Sequence, residues 1–270
     1  MPRAQVDGIA IDYDDTGRGS LAFLVMAGWC GSRRAFDTLV PLLAKRHRVL
    51  PMDWRGHGRS DPYAKDFGEQ ELVKDALAVV EAAGSPPIIP VATAHAGWVA
   101  IELRRRLGAT RVPALVLIDW ILGEAPPPFL AGLAALQTKE GWTAARDGLF
   151  AMWTKGVDDR AVRNFVNNDM GSFGQEMWSR AGREISAAYA HEGSPFQALS
   201  GLRPPAPTLH VYAQPNDPGY LSLQQGYASD HPWFHVLKLE AKSHFPTIEA
   251  PGAVAKAILE FAAATPKPNP

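Results

Sequence analysis

Three stretches of the chain carry residues whose types and spacing can do chemistry. The first is Ala92-Thr93-Ala94-His95-Ala96-Gly97-Trp98, which joins an apolar run at 87–91 to a helix expected from about 96 to 107. Small residues at alternate positions are what a sharp strand-to-helix turn requires, and enzymes that use such a turn normally carry a serine at its centre. Here the centre is Ala94, so an acyl-enzyme at this position is excluded by chemistry. The second stretch, Lys242-Ser243-His244-Phe245-Pro246, follows the last expected strand and supplies a base. The third element is an acid, either Asp119 at a strand end or Asp217 in the loop after the next strand. A carboxylate on an imidazole fixes its tautomer and stabilises its charged form, which makes the ring a better base. The backbone N–H groups of His95 and of Trp29, in the loop after an early strand, are placed to meet developing negative charge. A base and an anion hole without a nucleophile suit deprotonating an acidic substrate and holding the resulting anion.

The elements that must position these residues follow from hydrophobic runs and their punctuation. Buried strands are expected at 21–27, 48–52, 87–91, 116–118, 208–213 and 234–239, with helices at 36–44, 69–83, 96–107 and 253–263. Strand, loop, helix, strand in repetition predicts a mostly parallel sheet flanked by helices. Between 123 and 201 the β-branched runs disappear, and Trp142, Trp153, Trp178, Phe129, Phe150, Phe165 and Phe173 are spread through helix-like sequence. This predicts a helical cap inserted between two parts of one core, 1–122 and 202–264, with a disordered Pro-rich tail at 265–270. The nucleophile-turn pattern, acid and histidine in that chain order make this an α/β-hydrolase fold, α/β in class.

Composition narrows the partners. Twenty-seven basic residues against 28 acidic ones leave a formal net charge of -1, which advertises neither a nucleic-acid nor a membrane partner. No run approaches the roughly 20 apolar residues that span a bilayer, and the start lacks a signal-peptide pattern, so a cytoplasmic location is expected. The single cysteine, Cys30, forms no internal disulfide and no thiolate cluster, and no structural metal is expected. Cys30 reads as a small buried hydrophobe, and His57 and Asp53 as residues that pack a loop behind the site.

The chain also resembles the cofactor-free 3-hydroxy-4(1H)-quinolone 2,4-dioxygenases. The likeness runs through Gly28-Trp29-Cys30, Trp54-Arg55-Gly56-His57-Gly58, His95-Ala96-Gly97-Trp98, Asp119-Trp120, Gly193-Ser194-Pro195, His231-Pro232-Trp233-Phe234 and His244-Phe245-Pro246. Arg55-Gly56-His57-Gly58 marks only the fold, whereas Asp119-Trp120 and His231-Pro232-Trp233-Phe234 are far more specific. The resemblance implies that His244 removes the 3-hydroxyl proton of the substrate with Asp119 as its partner. It implies that the organic dianion reacts with O2, the co-substrate, without metal or flavin, and that a bridged peroxide collapses to carbon monoxide and an N-acylanthranilate. Trp29 and His95 would then stabilise the 4-oxo anion, and Trp153 would line the pocket.

Three positions depart from the family pattern, which has histidine, serine and histidine where this chain has Gly31, Ala94 and Thr93. Smaller residues leave room beside the ring, so a substrate with a longer 2-alkyl chain, such as a 2-heptyl quinolone signal, is expected. Two other functions compete. One is a lyase or hydrolase that uses the His/Asp base on a proton or a water without acylation. The other is a non-catalytic receptor on the same fold, against which the intact base argues.

Overall fold

A computed structural model describes residues 2–265. Eight strands form, β1 (Arg3–Val6), β2 (Ile9–Asp12), β3 (Ala22–Met26), β4 (Arg48–Met52), β5 (Ile88–Thr93), β6 (Leu115–Ile118), β7 (Thr208–Tyr212) and β8 (Phe234–Lys238). The helices are α1 (Leu39–Ala44), α2 (Glu69–Ala82), α3 (Ala96–Arg111), α4 (Pro127–Leu136), α5 (Trp142–Trp153), α6 (Arg160–Asn164), α7 (Gln175–Glu192), α8 (Pro195–Ser200), α9 (Pro218–Asp230), α10 (Pro246–Glu249) and α11 (Pro251–Ala264). Strands β3 to β8 make one parallel sheet in the order β4-β3-β5-β6-β7-β8. Helices cover both faces of such a sheet, and its central strands are accordingly continuous apolar runs: β3, β6 and β7 are buried at every position. Helix α1 packs with α11, and α2 with α3.

Several boundaries move by one to four residues from the sequence reading, and three elements differ in kind. The helix expected over 36–44 is a 3₁₀ turn at Arg33–Phe36 followed by α1. β1 and β2 form an antiparallel hairpin that the hydrophobic pattern does not reveal, although its turn is Asp7-Gly8, both at positive φ, which is a strong local hairpin signal. The loop expected after β7 contains α9, opened by Asp217 as N-cap and Pro218 in the first turn. Thr265 is not part of a tail, because it is buried and its hydroxyl donates to the Phe261 carbonyl at 2.9 Å. Positions 266–270 of the expected disordered tail lie outside the described residues.

Helices α4 to α8 fall between β6 and β7 in the chain, and residues of α4 and α5 face the loops at the C-terminal edge of the sheet across one cavity. Ligands of open α/β sheets bind outside that edge, where the strand-to-helix loops converge. The loops after β3, β5, β6 and β8 therefore share one region with the cap.

Candidate active site

The turn after β5 is built as its sequence demands. Ala94 has φ 47°, a left-handed conformation for a residue with a side chain, and its N–H donates to the Ile118 carbonyl of β6 at 2.8 Å. Asp119, the first residue past β6, has φ 50°, and Cys30 in the loop after β3 has φ 58°. Three of the five non-glycine residues with positive φ among those described thus stand at or directly behind one site. Such strain persists only where surrounding bonds over-determine it. Gly28 meets the turn so closely that a Cβ on it would lie 3.3 Å from the Ala94 Cβ, and its N–H donates to the Thr93 hydroxyl at 3.0 Å. Thr93 therefore ties the two loops together besides lining the cavity.

His244 and Asp119, 125 positions apart in the chain, meet here: His244 Nδ1 lies 2.8 Å from Asp119 Oδ1. The other carboxylate oxygen accepts the N–H groups of Ala213 at 2.8 Å and Gln214 at 3.2 Å. With the carboxylate as acceptor, Nδ1 carries the proton and Nε2 keeps its lone pair. Asp217 is exposed and its carboxylate accepts the Tyr220 N–H at 3.0 Å, so it caps α9 and makes no bond to His244. Trp153, at the end of α5, stacks on the His244 ring at 5.0 Å between centroids and 17° between planes, and its carbonyl accepts the His244 N–H at 3.2 Å.

Residues that the sequence did not single out hold this pair. Glu249 accepts the backbone N–H groups of Lys242 and Ser243, which fixes the loop carrying His244. The Gln214 amide donates to the Lys242 carbonyl at 2.6 Å and reaches the Trp153 carbonyl at 3.4 Å, joining that loop to the cap. Both are long-range bonds from polar loop residues, and no local pattern announces them.

The N–H groups of Trp29 and His95 have no acceptor among the described residues, and both residues border the cavity. Behind Trp29, the Cys30 N–H donates to His57 Nε2 at 3.2 Å, and His57 Nδ1 donates to the Arg55 carbonyl at 2.9 Å. Arg55 is itself held by the buried carboxylate of Asp75. Burial pushes His57 down to about 4, so the ring is neutral and accepts from the loop. Asp53 similarly receives the N–H groups of Arg33 and Arg59. Burial pushes the Cys30 thiol well up, so it is inert packing.

The cavity encloses about 1600 Å³. Gly31, Thr93, Ala94, His95, Asp119 and His244 line its core side together with Trp29, and Trp153, Phe129 and Leu149 belong to its cap side. Its walls are mostly apolar, the usual setting for a few convergent polar groups that orient a ligand. Among the described residues no group of three or more His, Cys, Asp or Glu side chains is arranged to hold a metal ion, and no helix is long and apolar enough to cross a membrane.

Comparison with known proteins agrees with this geometry. The alpha/beta hydrolase family model matches residues 23–257. A 2-heptyl-3-hydroxy-4(1H)-quinolone dioxygenase of Mycobacteroides abscessus is 38% identical over 259 residues, 96% of each chain. The 1H-3-hydroxy-4-oxoquinoline 2,4-dioxygenase of Pseudomonas putida is 38% identical over 262 residues, 97% of this chain and 99% of the relative. Among solved structures, a variant of the enzyme AqdC in complex with its substrate, described as recognising and cleaving the ring of the Pseudomonas quinolone signal, superposes with a TM-score of 0.94 at 36% identity, covering 98% of this chain and 99% of that one. The chain accordingly belongs to the alpha/beta hydrolase family and, within it, to the 3-hydroxy-4-quinolone dioxygenases.

Proposed function

We propose that the protein is a cofactor-independent dioxygenase that opens the ring of a 3-hydroxy-2-alkyl-4(1H)-quinolone. The observation that carries this reading is a His244–Asp119 pair facing an apolar cavity beside a turn whose centre is Ala94. His244 Nε2 is the base: it takes the 3-hydroxyl proton, and Asp119 stabilises the imidazolium that forms. The backbone N–H groups of Trp29 and His95 meet the 4-oxo oxygen, where negative charge accumulates. Trp153 holds the His244 ring in plane and forms a wall for the flat bicycle. Apolar walls exclude water that would return the proton.

The anion itself supplies the electrons for O2, so the reaction calls on no metal or flavin. Both oxygen atoms bond to the ring carbons at positions 2 and 4, and collapse of the bridged peroxide breaks the two ring bonds that flank position 3. Carbon 3 leaves as carbon monoxide, and the remainder is an N-acylanthranilate. The atoms balance: substrate plus O2 equals product plus one carbon monoxide. The relatives named for a 2-heptyl substrate and the size of the cavity support an alkyl chain of that order at position 2.

The test is to mix metal-free protein with 2-heptyl-3-hydroxy-4(1H)-quinolone in air and follow both gases. One O2 consumed for each carbon monoxide released is expected. Tight binding with neither gas exchanged would favour a receptor, and release of a hydrolysis product without oxygen uptake would favour a hydrolase or lyase.

A further inference from the structure

Trp120 follows Asp119 in the chain and takes no part in the His244 pair, yet it is held from every side. Its N–H donates to His210 Nε2 at 3.3 Å, and its carbonyl accepts the Tyr220 hydroxyl. His210 is buried and its Nδ1 meets the Gln224 amide oxygen. The indole enters the space above Gly97, where a Cβ would lie 2.2 Å from its Cζ3, so the residue just after the small-residue turn must be glycine to admit it. Trp98 packs edge-on against the same ring at 4.8 Å and 87°.

Held in this way, the indole Nε1–H donates to His95 Nδ1 at 3.2 Å. An indole N–H is only a donor, so Nδ1 must offer a lone pair, and a neutral imidazole then carries its proton on Nε2. Burial, with the neighbouring His244, pushes the His95 ring down to about 3, so it is neutral in any working buffer. Its Nε2 finds no acceptor among the described residues, and the ring borders the cavity, stacked on Phe129 at 5.8 Å and 11°.

We propose that Trp120 is a positioning residue that fixes His95 as the Nε2–H tautomer and so gives the cavity a side-chain N–H donor for an oxygen of the bound substrate anion. The two-residue unit Asp119-Trp120 thereby sets two histidines in opposite tautomers for opposite tasks. Asp119 leaves His244 with a bare Nε2 that accepts a proton, and Trp120 leaves His95 with a protonated Nε2 that donates a hydrogen bond. The use of that donor rests on the proposed ring cleavage, whereas the tautomer does not.

The experiment therefore has two parts. Nitrogen-15 spectra of the imidazoles in the substrate-free protein should show His95 with a bare Nδ1 and a protonated Nε2. Trp120→Phe, which keeps an aromatic ring and removes the N–H, should give a mixture of tautomers and lower kcat roughly 10-fold, the scale of one hydrogen bond to a charged group. His95→Phe removes the donor outright, and in that background Trp120→Phe should cost nothing more. A wild-type His95 protonated on Nδ1 overturns the proposal, whether or not the Trp120 variant folds. An unchanged tautomer in Trp120→Phe, or an equal loss of kcat in both backgrounds, also overturns it and leaves Trp120 as packing. If the wild-type protein cleaves no quinolone ring, the function proposed above fails while the tautomer measurement still stands.

Discussion

The sheet side of the cavity and the cap side hold their residues by different means. On the sheet side, Ala94, Asp119 and the Trp29-Cys30 loop are locked by backbone bonds to neighbouring strands, by a buried histidine and by a carboxylate with three partners. On the cap side, α5 has no fully buried residue, and Phe129, Leu149 and Trp153 line the cavity, Phe129 stacked on His95 and Trp153 on His244. Polar bonds that join the two include Gln214 to the Trp153 carbonyl, the Tyr189 hydroxyl to the Ile121 carbonyl at 2.7 Å, Arg180 and Arg183 to Asp66, and Arg105 to Glu192. A rigid wall suits proton transfer, where a displacement of 1 Å is costly, and an adaptable apolar wall suits selection of a variable alkyl chain. On the function proposed above, the base and the anion hole belong to the sheet side, and the cap side supplies Trp153 against the base and the wall that meets the alkyl chain.

The comparison breaks most visibly at His244. Replacing it by Ala should lower turnover roughly 10²–10⁴-fold, the loss expected for a general base, with substrate binding largely kept. A matching change on the cap side should behave otherwise. Leu149→Trp fills the cavity from a helix with no fully buried residue, so it should raise KM for a heptyl substrate about 10-fold and leave kcat for a short-chain one unchanged. Equal effects on both substrates would place alkyl selection elsewhere.

Acid should loosen the rigid wall. His57 and His210 are pushed down to about 4 and His95 to about 3, chiefly by burial, below the 6.5 of an unfolded histidine. Between those values the unfolded chain binds protons that the folded one refuses, so stability falls as pH drops, by at most about 1.4 kcal/mol per pH unit for each ring. Glu69 opposes this, because burial and the nearby Glu184 push its carboxyl up to about 7, and the folded state gains from acid until about pH 4.5. Melting temperature should therefore fall from pH 6.5 to 4.5, and Glu69→Gln should steepen the fall. A flat profile in both proteins would show that these three histidines are hydrated.

The smallest effect is expected at the turn. Ala94→Ser restores a hydroxyl without reshaping the cavity, so esterase activity should stay weak, and efficient hydrolysis of a simple aryl ester would contradict the ring-shaped site.

Much of this was legible in the sequence where the signal is local. The turn at Ala94 is a spacing of small residues, the parallel strands are apolar runs, and His244 follows the last strand. The choice between Asp119 and Asp217 was not local, since both follow strands; it is decided by a bond across 125 positions in one case and by a helix cap in the other. Helix α9 is hard to read from its polar sequence, which has two glycines and little periodicity, although Asp217-Pro218 marks its start. Gln214, Glu249, His210 and Tyr220 were invisible for the same reason as most supporting residues: their partners are brought near only by the fold.

The central claim is that a base acts here without a nucleophile, and anaerobic mixing tests it most directly. With O2 removed, wild-type protein should convert bound 2-heptyl-3-hydroxy-4(1H)-quinolone to its anion, seen as a shift in the quinolone absorption, while His244→Ala binds the same compound in its neutral form. Formation of the anion to the same extent and at the same rate in His244→Ala would contradict the account.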